Sequence, residues 1–263
     1  AALSPTTPTT LTSTAIAGAA HNIAAAAATV ANAAASPLEW CQMKPVAIFR
    51  SALTEGPGYF ATVLERRAIA WKLIALDAGE PVPKDSRAFS GMAFMGGPMS
   101  VNDDLKWIAP LLELIRDGVR NDVPALGHCL GGQLMSKAFG GVVSAAPVKE
   151  IGWGAVRVAE NAVAREWFGD LQAFLSFHWH GETFTIPPGA TRIAASSHCA
   201  NQAFAIGKHL GMQMHVEMTE DLIRTWCRSG ASEIAESRTS PGVQSVEEIQ
   251  RALESLVADL HKV

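Results

Sequence analysis

The chain of 263 residues has 21 basic and 25 acidic side chains, a formal net charge of −4 and an apolar fraction of 48%. This weak negative charge gives no electrostatic reason to expect nucleic acid or an anionic membrane surface as a partner. The length is sufficient for one large domain or two small ones with a sizeable buried core, and we expect a cytoplasmic globular protein.

The four cysteines are more consistent with reduced thiols than with disulfides. Cys41, Cys129, Cys199 and Cys227 do not have the spacing of a disulfide framework. The chain is also much longer than the small domains that depend on such bonds. The thiols are therefore expected to be free, and one of them could act in chemistry if other groups support it.

Residues 1–44 differ in composition from the rest of the chain. They are rich in Ala, Thr, Ser and Pro and contain no Lys or Arg before Lys44, so the basic start of a secretory signal and the arginines of a transit peptide are missing. Alanine is also too weakly apolar for a convincing membrane span. We predict a low-complexity tail, flexible or marginally helical, and then a single domain over residues 45–263.

From Pro45 onward, patterns of buried strands alternate with patterns of helices. The predicted strands are 45–52, 71–77, 88–97 and 123–127, and the predicted helices are 56–70, 105–121 and 131–141. Strands and helices that alternate at this pace form β-α-β units with right-handed crossovers. We therefore predict an α/β fold with a mostly parallel sheet.

Shorter strand patterns follow, separated by turn residues, and helices return at the end. The predicted strands are 154–160, 173–180, 182–186, 191–197, 201–207 and 211–216, and the predicted helices are 219–230 and 245–262. Ser245, with Glu248 three residues later, has the sequence pattern of a capping box. The sequence thus predicts an additional short-stranded β region beside the parallel sheet.

Cys129 stands where a predicted strand passes into a predicted helix. In an open parallel sheet, ligands bind beyond the carboxyl ends of the strands, which is where this residue should lie. Gly127 and Gly131 supply the small neighbours that a sharp strand-to-helix turn needs, as in the G-x-S-x-G turn with sulfur in place of oxygen. The helix N-terminus would favour the thiolate. A buried structural cysteine beside a glycine turn explains the same pattern equally well.

A thiolate nucleophile needs a histidine that is itself oriented by a third group. His215 is followed two residues later by Glu217, and residues i and i+2 of an extended segment face the same side. Glu217 could therefore hold the imidazole while the ring of His215 faces the sulfur. Taken alone, a histidine and a glutamate at a solvated strand end are the commoner explanation.

The glycine loop after the third predicted strand supplies a further part of the site. Gly96, Gly97 and Pro98 end this strand, so a backbone N–H of the loop can point to the same place as the N–H of Leu130. Two such donors make an oxyanion hole, and each can contribute roughly 10²–10³ in rate. The alternative is an ordinary Gly-Pro turn.

These segments together resemble a known family. "GHCLGGQ" is similar to the G-x-C-x-G-x-Q nucleophile motif of class I glutamine amidotransferases, "FMGGPMSV" to their Gly-Gly-Pro loop and "MQMHVE" to their H-x-E motif, in the same order. "KEIGWGAV" and "HWHGE" are similar to segments of the stand-alone, GMP-synthase-like branch. The resemblance extends over residues 46–227 and implies a flavodoxin-like three-layer fold.

The resemblance also implies a reaction. Glutamine would bind with its side-chain amide at Cys129, His215 would act as general base and then as general acid, and Glu217 would orient the imidazole. The N–H groups of Gly97 and Leu130 would hold the oxyanion. A γ-glutamyl thioester would form with loss of ammonia, and water would then hydrolyse it to glutamate.

Further implications concern the substrate contacts and the partners. The family resemblance assigns the contacts with the amino and carboxylate ends of the substrate to four residues, Gln133, Trp179, His180 and Gly181. It implies no cofactor. The sequence lacks a downstream synthetase domain and an S-G-G-x-D-S phosphate loop, so any acceptor of the ammonia is expected to be a separate synthase subunit.

Other interpretations of the same residues stay open. The same three groups could instead hydrolyse γ-glutamyl peptides or metabolites, or the chain could be a non-catalytic binding module. A metal site is a further alternative, because His178, His180, His198 and Cys199 lie in the β-rich stretch. Their spacing lacks the paired pattern of structural zinc sites, and we expect no metal.

Overall fold

The computed structural model describes residues 44–251 and 253–261. The predicted tail, apart from Lys44, lies outside these residues, and so does Cys41. The strands in the described part are β1 (Val46–Arg50), β2 (Trp71–Ala75), β3 (Gly91–Phe94), β4 (Ala125–His128), β5 (Val143–Val158), β6 (Ala173–Phe184), β7 (Thr191–Ser196), β8 (Ala203–Ile206), β9 (His209–Met212) and β10 (Gly242–Val243). The helices there are α1 (Gly58–Arg66), α2 (Ile108–Arg120), α3 (Leu130–Ala138), α4 (Ala162–Phe168), α5 (Glu220–Ser229), α6 (Ala231–Glu236), α7 (Val246–Gln250) and α8 (Leu253–Leu260).

These strands form one sheet in the order β10-β5-β7-β8-β9-β4-β3-β1-β2, with β6 paired to β5 outside this path. The pairs among β2, β1, β3, β4 and β9 are parallel. The pairs that join β9, β8, β7, β5 and β6 are antiparallel, while β10 is parallel to β5. The predicted α/β fold with a mostly parallel central sheet and an additional β region is therefore confirmed.

Side chains that alternate along the central strands supply both faces of the sheet with apolar groups. In β1, Val46 and Ile48 belong to one buried cluster, and Ala47 and Phe49 belong to another, as a strand with a period of two requires. The first cluster includes side chains of α1 and α4, and the second includes those of α2 and α3. The parallel sheet is thus the middle of three layers.

A third buried cluster joins the C-terminal helices to the antiparallel half of the sheet. It contains Ile151 of β5, Phe177 of β6 and apolar side chains of α5, α6, α7 and α8. The capping box predicted at Ser245 and Glu248 is present at the start of α7. This packing brings α5 and α6 beside β6, where they form one wall of the candidate site.

The antiparallel half differs from the sequence prediction in the length of its strands. β5 has 16 residues and β6 has 12, so the predicted strands 173–180 and 182–186 are one strand. β5 begins well before residue 154 because its pairing with β6 continues across a register shift between Ala145 and Glu150. Pro147 lies within that irregularity, where a missing N–H is tolerated, and it hid the strand from the sequence pattern.

Helix α4 was not predicted, although the sequence contains its capping residue. The side chain of Asn161 accepts a hydrogen bond from the backbone N–H of Ala164 at 2.8 Å, as an N-terminal cap does. None of the helices in the described ranges combines the length and the apolar character that a passage through a lipid bilayer requires.

Candidate active site

The candidate nucleophile lies at the carboxyl edge of the parallel strands. Cys129 stands between the end of β4 at His128 and the start of α3 at Leu130, and its backbone has φ 49° and ψ −108°. Few L-residues adopt this conformation. The turn places Cys129 in the wall of a cavity of about 620 Å³.

The two glycines beside the cysteine are required by close backbone contacts. A Cβ atom on Gly127 would collide with the backbone of Gly131, and a Cβ atom on Gly131 would collide with the carbonyl group of Phe94. Strand β3 and helix α3 therefore approach each other more closely than any other residue type would allow. The G-x-C-x-G spacing reflects this packing as well as the turn itself.

His215 and Glu217 follow β9, but not on a regular strand. The strand predicted over 211–216 ends at Met212, and beyond it the backbone N–H of His215 donates to the carbonyl of Phe177 at 2.9 Å. Even so, the Nδ1 of His215 lies 2.8 Å from Oε1 of Glu217. Both side chains are buried, so this contact is shielded from water.

The imidazole and the thiol converge on the glycine loop after β3. His215 and Cys129 line the same cavity. A Cβ atom on Gly96 would lie 3.1 Å from Cε1 of His215 and 3.8 Å from Cβ of Cys129. Because Glu217 occupies Nδ1, the Nε2 atom of His215 is left for the sulfur.

Electrostatics in this group favour an ion pair between His215 and Glu217. Burial raises the pKa of Glu217, but the charges of His128 and His215 and the hydrogen bond with His215 outweigh it and bring the pKa to about 2. Burial lowers the pKa of His215, but the charge of Glu217 and hydrogen bonds with Cys129 and Glu217 raise it well above its ordinary value. The ring of His215 is therefore held as an imidazolium beside a carboxylate.

The predicted oxyanion-hole residues lie next to each other. A Cβ atom on Gly97 would be 2.7 Å from Cδ2 of Leu130, so the glycine loop packs directly against the first residue of α3. The N–H groups in the first turn of a helix have no intrahelical acceptor. The N–H of Leu130 is thus available to a ligand beside the thiol.

The four predicted substrate contacts, Gln133, Trp179, His180 and Gly181, all line the cavity. Gln133 is buried and donates from Nε2 to Oε1 of Gln213 at 3.2 Å. The carbonyl oxygen of Trp179 lies 3.7 Å from Sγ of Cys129. The ring of His180 is occupied elsewhere, because Nδ1 lies 3.0 Å from the carbonyl of Glu182 and Nε2 lies 3.0 Å from Glu150.

Glu150, His178 and His180 form a buried cluster whose possible ligand atoms lie within 4.8 Å of one another. Each of these residues already has protein partners. Glu150 accepts hydrogen bonds from His180, from Ser196 at 2.8 Å and from Gln202 at 2.8 Å. Burial lowers the pKa of His178 to about 4. The cluster therefore acts as a support for β6, and His198 and Cys199 of the metal hypothesis are not among its members.

Comparison with known proteins identifies the family. The family described as glutamine amidotransferase class-I matches residues 62–224. The chain belongs to the class-I glutamine amidotransferases. A crystal structure of a glutamine amidotransferase from Methylobacillus flagellatus is 44% identical, with a TM-score of 0.82, over 84% of this chain and 90% of that one. This likeness agrees with the flavodoxin-like fold that the sequence implied.

Curated relatives of this amidotransferase carry several names. The glutamine amidotransferase-like protein YfeJ of Salmonella typhimurium is 27% identical, over 69% of this chain and 78% of that protein. γ-Glutamyl peptidase 3 of Arabidopsis thaliana is 26% identical, over 62% of this chain and 69% of that protein. The glutamine-hydrolysing GMP synthase of Vibrio vulnificus is 34% identical, but the match spans 51% of this chain and 26% of that protein.

Three residues near the sulfur of this amidotransferase were missed by the sequence reasoning. Gln213 donates from Nε2 to Sγ of Cys129 at 3.5 Å, and its position two residues before His215 could have indicated this. Nε2 of His128 lies 3.5 Å from Oε2 of Glu217, and no sequence signal beyond its place next to Cys129 points to it. Glu55, in the loop after β1, lines the cavity and has no motif of its own.

Glu55 should make the stability of the amidotransferase depend on pH. Burial raises its pKa to about 7 from 4.5, against the lowering effect of the charge of His215. The folded chain therefore keeps a proton that the unfolded chain releases, and between about pH 4.5 and pH 7 its free energy of unfolding falls as pH rises. Glu55→Gln will remove this contribution, so the stability of the variant relative to the parent, measured by urea unfolding, will increase across that window. The same substitution at the exposed Glu65 is the control, and a difference independent of pH would contradict the assignment.

Proposed function

We propose that the chain is a glutaminase-type hydrolase, which cleaves the γ-amide of glutamine through a thioester on Cys129 and releases ammonia and glutamate. The observation that carries the proposal is the convergence of Cys129 and His215 on one cavity, with Glu217 bonded to the far side of the imidazole at 2.8 Å. A nucleophile, a base and a group that orients the base are the components of acyl transfer by a cysteine.

In the proposed reaction, His215 holds at Nε2 the proton taken from the thiol, and the sulfur of Cys129 attacks the γ-carbonyl carbon. The sulfur–carbon bond forms as the carbonyl electron pair moves to oxygen, where the N–H groups of Gly97 and Leu130 receive the negative charge. The carbon–nitrogen bond then breaks, and the leaving nitrogen takes the proton from His215. Water attacks the thioester with His215 as base, and glutamate leaves as the thiol is restored.

Glu217 has two tasks in this sequence of steps. Its carboxylate accepts the hydrogen bond from Nδ1 of His215, which keeps Nε2 directed at the sulfur. Its charge also stabilises the imidazolium that forms when the thiol is deprotonated. Gln133, Gly181 and the backbone of Trp179 and His180 are proposed to hold the amino and carboxylate ends of the substrate, because the ring nitrogens of His180 already have partners.

The cavity also favours a second candidate, the hydrolysis of γ-glutamyl peptides or metabolites by the same residues. Its volume of about 620 Å³ falls in the range of pockets that enclose drug-sized ligands, which is more than one amino acid requires. Trp179 and Trp226 both line it and offer apolar surface to a larger leaving group. The similarity to γ-glutamyl peptidase 3 agrees with this candidate.

A partner chain is part of the first candidate. One of the subunits of the glutamine-hydrolysing GMP synthase of Sulfolobus acidocaldarius is 30% identical to this chain, and the match spans 79% of its length. We propose that, if this chain supplies ammonia for a synthesis, the acceptor is a separate synthase subunit.

Incubation of the purified chain with a panel of amides tests both candidates. The panel consists of glutamine, γ-glutamyl dipeptides and the corresponding α-glutamyl dipeptides as controls, with glutamate and ammonia or free amine measured over time. Release of ammonia from glutamine supports the glutaminase. Turnover of γ-glutamyl dipeptides with glutamine ignored supports the second candidate. The proposal is wrong if no γ-amide is cleaved, an outcome that would point to a binding module.

A further inference from the structure

Glu55 is a second acidic group at the candidate active site, and it comes from the loop between β1 and α1. The loop is fixed from two directions. Ser51 donates from Oγ to the carbonyl of Gly96, and the indole N–H of Trp226 donates to the carbonyl of Thr54 at 2.8 Å. The backbone that carries Glu55 is therefore tied to the glycine loop on one side and to α5 on the other.

The carboxyl group of Glu55 reaches the point where the thiol and the imidazole meet. A Cβ atom on Gly96 would lie 2.8 Å from Oε2 of Glu55, beside Cε1 of His215 and Cβ of Cys129. All three side chains thus surround the same small volume above Gly96. Cε1 is the ring atom between the two nitrogens of His215, so Glu55 faces the edge of the ring that Glu217 leaves open.

This position distinguishes Glu55 from the other charged groups of the cavity. Glu233 is paired with Lys149 at 2.7 Å, and Glu182 accepts a hydrogen bond from Ser100 at 3.0 Å. Glu55 instead lies beside the reacting atoms. A carboxylate there cannot stabilise the oxyanion, because like charges repel, but it can accept a hydrogen bond from an N–H group.

The atom with an N–H at that place is the nitrogen of the scissile amide. In the proposed reaction, the leaving nitrogen takes its proton from Nε2 of His215, and it must therefore depart along the edge of the imidazole. On the basis of the proposed function, we infer that Glu55 is the leaving-group residue: its carboxylate accepts a hydrogen bond from the N–H of the γ-amide and from the ammonia or primary amine that is released.

The inference adds no proton transfer to the reaction. The proton on the leaving nitrogen still comes from His215, and Glu55 holds the nitrogen while the carbon–nitrogen bond breaks. The chain should then prefer γ-glutamyl compounds whose leaving group carries an N–H over compounds of the same shape that leave through oxygen. Burial of the Glu55 carboxyl, which raises its pKa to about 7, shows that this acceptor is held in a site with little water.

A matched pair of substrates tests this role. The γ-methylamide and the γ-methyl ester of glutamate differ in the leaving atom, N–H against O, and glutamine is the reference amide. The values of kcat/KM report the acylation step for each substrate. For Glu55→Gln and Glu55→Leu, we expect kcat/KM to fall for the amides by roughly 10-fold and roughly 100-fold, the range of a hydrogen bond to a charged group, and to change by less than about 3-fold for the ester.

Control measurements separate the possible failures. Glu65→Gln, on the exposed face of α1, should leave all values unchanged, and urea unfolding of each variant shows that the fold is retained. Equal losses for amides and ester, or no loss at all, would overturn the role of Glu55 while leaving the proposed hydrolase intact. If the parent chain cleaves neither amide, the proposed function fails, and the inference fails with it.

Discussion

Replacement of Cys129 by alanine will abolish cleavage of glutamine and of γ-glutamyl amides while the chain stays folded. The sulfur is the proposed nucleophile, and the groups around it cannot substitute for it, because His215 is engaged by Glu217 on one nitrogen and has no path of its own to a covalent intermediate. Loss of a triad nucleophile typically lowers kcat by about 10⁴-fold or more. We expect a loss of at least that order, measured as glutamate release.

Two further measurements make the result specific. In the parent chain, hydroxylamine should compete with water for the thioester and yield γ-glutamyl hydroxamate, which the Cys129→Ala variant will not form. Cys227→Ala is the matched control, because this thiol is buried in the cluster of C-terminal helices and takes no part in the site. Hydrolysis by Cys129→Ala at the parental rate would remove the proposed nucleophile.

His215→Ala will lower kcat/KM far more than Glu217→Gln. His215 accepts and returns the proton in each half of the reaction, and general acid–base catalysis of this kind contributes about 10²–10⁴-fold. We expect the loss for His215→Ala at the upper end of that range and the loss for Glu217→Gln at or below its lower end. Both are measured as initial rates over a range of pH.

The surroundings of Glu217 explain why glutamine should be tolerated there. Its Oε1 accepts from Nδ1 of His215, and its Oε2 lies 3.5 Å from Nε2 of His128. Burial lowers the pKa of His128, so this ring is neutral and can accept a hydrogen bond from the amide of a glutamine. The substituted side chain would keep its oxygen on His215 and lose only the negative charge. Equal losses in the two variants would mean that the charge, and not the orientation of the ring, is the main contribution of Glu217.

The parallel half of the fold and the three principal site residues could be predicted from the sequence because their signals are local. The strand before Cys129, the glycines around it and the helix after it lie within one short segment, and Glu217 lies two residues from His215. The pairing of β5 with β6 was harder to predict. Its register shift and the proline within it resemble a turn when only neighbouring residues are considered.

Glu55 and His128 show a different kind of limit. Nothing in the sequence near position 55 indicates that its carboxyl will approach the ring of His215, because that meeting depends on the order of β1, β3 and β4 in the sheet. His128 contacts Glu217 only because β9 lies beside β4. Contacts of this type follow from the assembled topology, and short motifs carry no record of them.

The backbone at Cys129 makes reactivity a property of the assembled domain. Holding a cysteine at φ 49° costs on the order of 1–3 kcal/mol, so a free peptide with the same residues would relax into an ordinary conformation and lose the alignment. The contacts of Gly131 with Phe94 maintain it at the junction of β3, β4 and α3. Loosening that junction would therefore silence the sulfur before the sheet itself melts, and hydrolysis would disappear at a lower temperature than secondary structure.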